Sequence, residues 1–370
     1  MLRAATTANT RAVITHVVSN IFREHKLTAE AQEVLSDVVD DISDSIFAED
    51  SEDDQNTPQK KQRRRWKLQE PRKKKDFANS KIQQHLREGL YDGIKGEDQF
   101  RARYRLPKSA YLELREAVLE ADSQLDAKNP INPHQNIPID NKLLTVLRVL
   151  GRGMSTKDDE DHSDMHPDTI RRVLRRTCRT ISREIFSAYV HPPRNEEEAK
   201  KICGMYTEAG FPGCIGSMDV VHVAWDRFPA ALFHLHKGRY SFPTLAFECT
   251  VANDRSFLAC TDARHGAHND KTIVRTDKFV NALRSGAFAD VEYDLYSAQG
   301  QPRRVRNPYL LVDGGYHLWR HLQCGYKHTG DFIKAKYSDQ LASVRKDVEC
   351  AFGILKKRFR ILKIPLQLAN

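Results

Sequence analysis

The chain is poor in the features that mark secreted, zinc-binding or membrane-embedded proteins. Seven cysteines (Cys178, Cys203, Cys214, Cys249, Cys260, Cys324 and Cys350) are scattered over 370 residues, with no C-x-x-C pair. An odd, dispersed set argues against a disulfide framework and predicts reduced thiols in an intracellular protein. The histidines add no zinc site. His317 and His321 stand at helical i, i+4 spacing and His265 stands near His268, but neither pair has a cysteine or glutamate placed to complete the ligands. No apolar run approaches the ~20 residues of a membrane span. The opening MLRAATTANTRAVITHVVSN has a short apolar patch without an h-region or a cleavage site, so no secretory signal is read there. No internal repeat is present.

What the chain has in excess is positive charge. Lys and Arg number 59 against 50 Asp and Glu, a net charge of +9, and the pI is near 9.1. Such an excess fits a polyanionic partner, nucleic acid first. The charge is also unevenly spread. Residues 1–58 end in an acidic and then polar stretch, DDISDSIFAEDSEDDQNTPQ, that cannot support a core, and disorder is expected from about Asp44. Val39, Ile42 and Ile46 at helical spacing suggest a short amphipathic helix before it. The sign then reverses in a linker over 59–78. KKQRRRWKLQEPRKKK, residues 60–75, holds ten basic residues and one Glu. Its two clusters, Lys60, Lys61, Arg63, Arg64 and Arg65, then Arg72, Lys73, Lys74 and Lys75, suit nuclear import or a phosphate-binding arm. A plain flexible linker is the alternative.

Residues 79–200 read as a helical domain. SKIQQHLREGL and SAYLELREAVLEAD carry apolar residues at 3.6 spacing. NKLLTVLRVLGRG is a short helix ended by glycine. After a polar loop, HPDTIRRVLRRTCRTISREIFSAY opens with Pro167 at the first helical position. Its apolar side is Ile170, Val173, Leu174, Cys178 and Ile181, while Arg171, Arg172, Arg175, Arg176 and Arg179 lie largely elsewhere. Two helices with an arginine-rich second member suggest a helix-turn-helix variant, although the loop exceeds the usual three or four residues. The alternative is the solvated face of a packed bundle.

From residue 201 the pattern turns to strands: CIGSMDVVHVAW, FPTLAFECTVAN and SFLACTDARHG, with Asn253-Asp254-Arg255 as the turn between the last two. A helical stretch follows, then the apolar run NPYLLVDGGY. Last comes a long amphipathic helix with the stripe Val348, Ala351, Phe352, Leu355 and Phe359. Strands and helices in this order make a mixed α/β layer.

Three carboxylates sit where burial is unfavourable. Asp219 interrupts the first strand, Asp313 ends the fourth, where ligands of open α/β sheets gather, and Glu349 lies beside the stripe of the last helix. Divalent cations give such acids a reason to stay charged together, and hard oxygen ligands suit Mg²⁺ or Mn²⁺. Asp313 and Glu349 are separated by 35 residues.

That spacing resembles the DDE triad of transposases with an RNase H-like fold. GSMD with H-x-x-W, HGAHND, YLLVDGGY and RKDVECAFGILKKRF resemble, in order and distance, the blocks of PIF/Harbinger transposases, most of all the plant-type transposon protein group. With QFRARYRLPKSAYLEL upstream, the resemblance covers roughly residues 99–360. It implies an RNase H-like DDE nuclease domain over 201–370, with Asp219, Asp313 and Glu349 as catalytic metal ligands and Asp270, after Asn269, as a further candidate. Asp347 competes with Glu349, since the two point to different sides of the helix. The resemblance also implies two Mg²⁺ or Mn²⁺ ions, cleavage of double-stranded DNA at transposon ends followed by strand transfer, and a Myb-like helper protein; the basic clusters at 60–75 point to a nuclear location. A homo-oligomer is a further possibility. Lys237, Arg239, Lys356 and Lys357 are candidates for holding DNA phosphates, beside the arginines of the helical domain.

Two rival readings remain: a non-catalytic DNA-binding protein derived from a transposase, and an inactive, truncated transposon copy. The second arises because the family continues with further helices, whereas this chain ends at Asn370 with Pro365 interrupting any extension. Uncovering two large apolar side chains would cost roughly 3–6 kcal/mol. Glu349 is therefore expected to be less firmly held than the two strand aspartates.

Overall fold

A computed structural model describes residues 77–128, 136–226, 232–297 and 299–364. The acidic segment 1–58 and the basic clusters from Lys60 to Lys75 lie outside the described residues. Helices come first: α1 (Lys81–Arg87), α2 (Gly93–Tyr104), α3 (Lys108–Ala121), α4 (Ile139–Arg152), α5 (Pro167–Thr180) and α6 (Glu196–Glu208). As the sequence predicts, Pro167 occupies the first turn of α5, where its missing N–H costs nothing, and His166 caps it by accepting from Asp168 N. Gly153 ends α4 at φ +64°, the left-handed conformation that favours glycine. The helix begun as α5 runs through a π turn at Ile181–Ile185 into a last turn at Phe186–Tyr189.

The strands are β1 (Cys214–Ala224), β2 (Thr244–Val251), β3 (Phe257–Cys260) and β4 (Arg264–His265). After α7 (Lys278–Arg284) come the hairpin β5 (Glu292–Tyr296) and β6 (Pro302–Arg306), then β7 (Tyr309–Leu311) and β8 (Leu322–Gln323). The long helix α8 (Phe332–Arg358) follows. The main sheet has the order β3-β2-β1-β7-β8, with β4 also on β2. β1, β2 and β3 pair antiparallel, as hairpin-linked strands do, whereas β1–β7 and β7–β8 pair parallel. β5 and β6 form a separate charged ribbon that the sequence reading left out. The described residues thus form a mixed α/β fold with a mixed sheet.

Both faces of the sheet are covered, which explains why β2 is buried at every position. On one face α6 and α7 pack through Ala199, Cys203, Phe279 and Leu283 on Ile215, Met218, Leu310 and Val312. On the other face Val221, Val223, Phe247 and Cys249 join one apolar core with Val348, Ala351, Phe352, Leu355 and Phe359 of α8. The same core contains Phe100, Tyr104, Leu143, Leu147 and Ile170 of the preceding helices. The core therefore crosses the predicted boundary near residue 200. α4 is its centre, buried from Leu143 to Gly151. A buried ion pair, Arg148 Nε–Asp159 Oδ1 at 2.7 Å, anchors the loop that leads from α4 to α5. Burial there pushes the Asp159 carboxyl up to about 6, with Arg148 opposing the shift.

One expectation is corrected. The apolar stripe of α8 does not lack cover, since Val348 is 0 % and Leu355 and Phe359 are each 2 % exposed. Earlier helices supply the cover, and Arg360–Leu362 adds a turn against α4 through Leu362. Sequence periodicity shows that a stripe must be buried but not what buries it. Truncating Phe359 to Ala should cost about 3–5 kcal/mol, as for large core aromatics. Equilibrium denaturation checks the loss, and hydrogen exchange over 340–362 should show protection in the unaltered chain. A Phe359→Ala variant as stable as its parent would mean that this end of α8 is not part of the core.

Candidate active site

The register of two parallel strands builds the site. Ser217 of β1 pairs with Leu311 of β7. Asp219 and Asp313 each follow two residues later, so they come out side by side where β7 ends and β1 runs on. Asp219 accepts from the Val220 amide at Oδ1 (2.9 Å). Asp313 accepts from the Gly315 amide at 2.7 Å, which closes the turn after β7. Asp270 comes from a third direction. Asn269 caps the short helix Asp270–Ile273 by accepting from Thr272 N at 2.9 Å, and the turn sets the next carboxylate towards Asp313. A Cβ on Gly315 would lie 2.7 Å from Asp270 Oδ2 and 2.9 Å from Asp313 Oδ1. Only glycine admits both carboxylates this closely.

Like charges raise one another's affinity for protons. Burial is the main reason the Asp219 carboxyl is held above its ordinary value, and Asp313 adds to it while Arg345 opposes. Asp270 is raised by burial, then by Asp313 and Asp219. Three carboxylates therefore feel each other across one partly desolvated cleft.

Glu349 reaches the same place by a different route. Arg345, one turn earlier on α8, donates from Nη1 to Asp219 Oδ2 at 2.9 Å and from Nη2 to Glu349 Oε1 at 2.7 Å. Of the two helix acids, Glu349 is the one joined to Asp219 through Arg345. Asp347 turns away to Arg255 Nε at 3.1 Å. The sequence predicts three buried acids, but the site is more open. The Asp219 side chain is 23 % exposed and that of Glu349 50 %.

Among the described residues, no group of three or more His, Cys, Asp or Glu side chains is already arranged to hold a metal ion. The donor chemistry nevertheless fits a hard divalent cation. Every candidate ligand is a carboxylate, three of them repel one another, and a guanidinium stands between the fourth and Asp219.

The candidate phosphate-binding residues are dispersed. Arg239 acts electrostatically on Asp270 and on His222, so it lies near the site. Lys356 is partly buried and donates to the His222 carbonyl at 2.9 Å, a structural contact on β1. Lys357 is exposed. Lys237 lies over the Phe233 ring, 4.9 Å from its centroid. On α5, Arg171, Arg172, Arg175, Arg176 and Arg179 are all exposed and form one basic face. Part of it is engaged within the chain. Arg176 forms a fork on Asp122 with two contacts of 2.7 Å, and Arg171 pairs with Asp168.

Two residues of the site were not read from the sequence, Arg345 and a fifth acid beneath the cleft. Glu248 of β2 is 0 % exposed, and neither of its oxygens meets hydrogen-bond geometry with a partner. The buried Tyr316 hydroxyl interacts with it at longer range. Burial pushes its carboxyl far above the ordinary range, with Asp277, Asp270 and Asp219 adding to the shift. The signal was present, since a glutamate interrupts the apolar run LAFECTV just as Asp219 interrupts CIGSMDVV.

The pH consequence has a definite sign. A carboxyl with a raised folded-state pKa stabilises the fold fully below its unfolded value, ordinarily near 4.3, and loses that contribution as pH rises. Glu248→Gln should therefore gain stability relative to the unaltered protein as pH is raised from about 4 to 8. Thermal unfolding across that range is the check. A difference that does not change with pH would show that Glu248 is not held protonated by its surroundings.

Residues 187–370 match the family model described as plant transposon protein. No curated protein and no solved structure matches the chain. The family match spans Asp219, Asp270, Asp313 and Glu349, every acid of the cleft, and it supports a transposon-derived protein.

Proposed function

We propose that the chain is a metal-dependent DNA endonuclease of the DDE transposase type, in the PIF/Harbinger manner. The observation that carries this reading is the convergence of Asp219, Asp313 and Asp270 at the end of a parallel strand pair, with Glu349 joined to Asp219 through Arg345. The strand order β3-β2-β1-β7-β8, antiparallel then parallel, is the arrangement an RNase H-like sheet requires and supports the same reading.

Asp219, Asp313 and Glu349, with Asp270 as a further ligand, would hold Mg²⁺ or Mn²⁺. When bound, two such ions supply the charge that activates a water and stabilises a leaving oxygen at a phosphodiester. The chain's own residues do the rest. The strand pair fixes Asp219 and Asp313 relative to each other. α8 brings Glu349 to the opposite side, so that a phosphate could enter between strand and helix. Arg239 and the exposed Lys357 offer positive charge along the duplex, and the arginine face of α5 offers more, all without sequence readout. Water attacks phosphorus in line, the P–O3′ bond breaks, and a 3′-hydroxyl is freed that can attack target DNA in a second transfer. Double-stranded transposon ends are the proposed substrate, the nucleus the proposed location, and a Myb-like protein and a second copy of the chain the proposed partners. No described helix is long and apolar enough to cross a membrane.

A second reading has an observation in its favour. Arg345 already neutralises two of the acids, which suits a non-catalytic DNA-binding protein that keeps the fold.

A nicking assay on DNA carrying the element ends, with Mg²⁺ or Mn²⁺, separates the two. Asp219→Asn, Asp313→Asn and Glu349→Gln should each lower nicking by at least about 10²-fold, since a 1 Å misplacement alone costs that much. Folding and most DNA affinity should persist. Cleavage at the unaltered rate in any of the three would remove that residue from the site, and binding without any cleavage in the parent chain would favour the second reading.

The basic segment gives a separate test. Replacing its ten Lys and Arg with Gln over 60–75 should flatten the slope of log K against log salt, because each phosphate contact releases counterions. An unchanged slope together with unchanged nuclear accumulation would reduce the segment to a linker.

A further inference from the structure

Arg345 is the one cation described with hydrogen bonds to two acids of the cleft, and its position is unusual. It is exposed by only 15 % and uses two different nitrogens on two carboxylates, Asp219 of β1 and Glu349 of its own helix. These are oxygens that the proposed cation site requires. A guanidinium at 2.9 Å and 2.7 Å from Asp219 Oδ2 and Glu349 Oε1 fills the space between them. A divalent ion binds such oxygens at about 2.0–2.6 Å and would meet the guanidinium as a like charge. The two cannot share the place.

We propose that Arg345 competes with the divalent cation for Asp219 and Glu349, so that it gates cation entry and holds the helix acid against the strand acid until a cation displaces it. This rests on the metal-nuclease reading above. The arrangement has three supports in the structure. Asp347, the other nearby acid of α8, is taken by Arg255, so Arg345 has no competing partner on that side. The i, i+4 spacing from Arg345 to Glu349 fixes the guanidinium beside the carboxylate without reorganising the helix. The planar fork also allows one side chain to serve two acids in a way an ammonium cannot. Once displaced, the guanidinium remains within reach of the cleft and could turn to a phosphate of the substrate.

The test is Mn²⁺ binding to the full chain by titration calorimetry, with thermal unfolding in chelator as a second readout. Arg345→Met keeps the length and removes the charge. It should bind Mn²⁺ about tenfold or more tightly than the unaltered chain, with Arg345→Lys in between. In chelator Arg345→Met should melt lower than the parent, and adding Glu349→Gln should restore part of the loss by removing the uncompensated charge. Equal or weaker Mn²⁺ binding by Arg345→Met, with clear binding by the parent, would overturn the competition while leaving the metal site standing. Absence of Mn²⁺ binding in parent and both variants would overturn the metal reading and the competition with it, whereas a lowered melting point in chelator would then identify Arg345 as a structural counter-ion only.

Discussion

Placing several carboxylates against one another in a partly desolvated cleft is unfavourable, and the rest of this structure is arranged around that repulsion. Asp219, Asp270 and Asp313 each sit in a field made by the others, and burial amplifies it because the interior screens charge less than water does. Such a cluster persists only where surrounding structure holds it. Here the backbone amides of Val220 and Gly315 donate to Asp219 and Asp313, and one guanidinium donates to Asp219 and Glu349. The cleft therefore carries an excess of negative charge, and that excess supports the proposed cation site.

The fold resists the repulsion by fixing each acid on a separate, rigid support. Strand register fixes Asp219 against Asp313, since a slip of one residue in β7 would turn its side chains to the other face. Glycine at 315 lets Asp270 approach where any side chain would collide. Glu349 depends on α8, whose buried stripe is gripped between the sheet and the helices of the first half of the chain. The acid that stands half exposed on a helix thus has a buried support of its own.

Much of this was legible in the sequence, because local chemistry wrote it. An aspartate inside an apolar run, a strand ending in Asp-Gly-Gly and a stripe at helical spacing each pointed to their elements, and β1, β2, β7 and α8 lie within a few residues of where those signals put them. What was missed depends on partners distant in sequence. The ribbon β5–β6 is exposed and charged, so it shows no alternation to mark it as strand. The cover over α8 comes from residues as remote as Phe100 and Leu143, which no window of sequence connects to Phe359. Arg345 looked like one more charge on an amphipathic helix until Asp219 was placed 126 positions away and within hydrogen-bond reach. Glu248 was legible and passed over, since its strand was read for pattern and not for the one residue that broke it.

The shared core ties the two charged surfaces of the protein together. Ile170 and Leu174, on the inner side of the arginine-bearing α5, belong to the same core as Val348 and Phe352, which flank Glu349 on α8. Protein interiors are close-packed and transmit strain, so a change of packing at α4 or α5 is felt at α8 through that core. The strand pair is joined by backbone hydrogen bonds, whereas α8 meets the sheet through side chains, by packing and by the contacts of Arg345, Asp347 and Lys356, so Glu349 and Arg345 share in any strain of the helical layer. A polyanion drawn onto the arginine face of α5 would load that layer directly. The fourth carboxylate and the guanidinium beside it therefore rest in part on the half of the chain that carries no acid of the site.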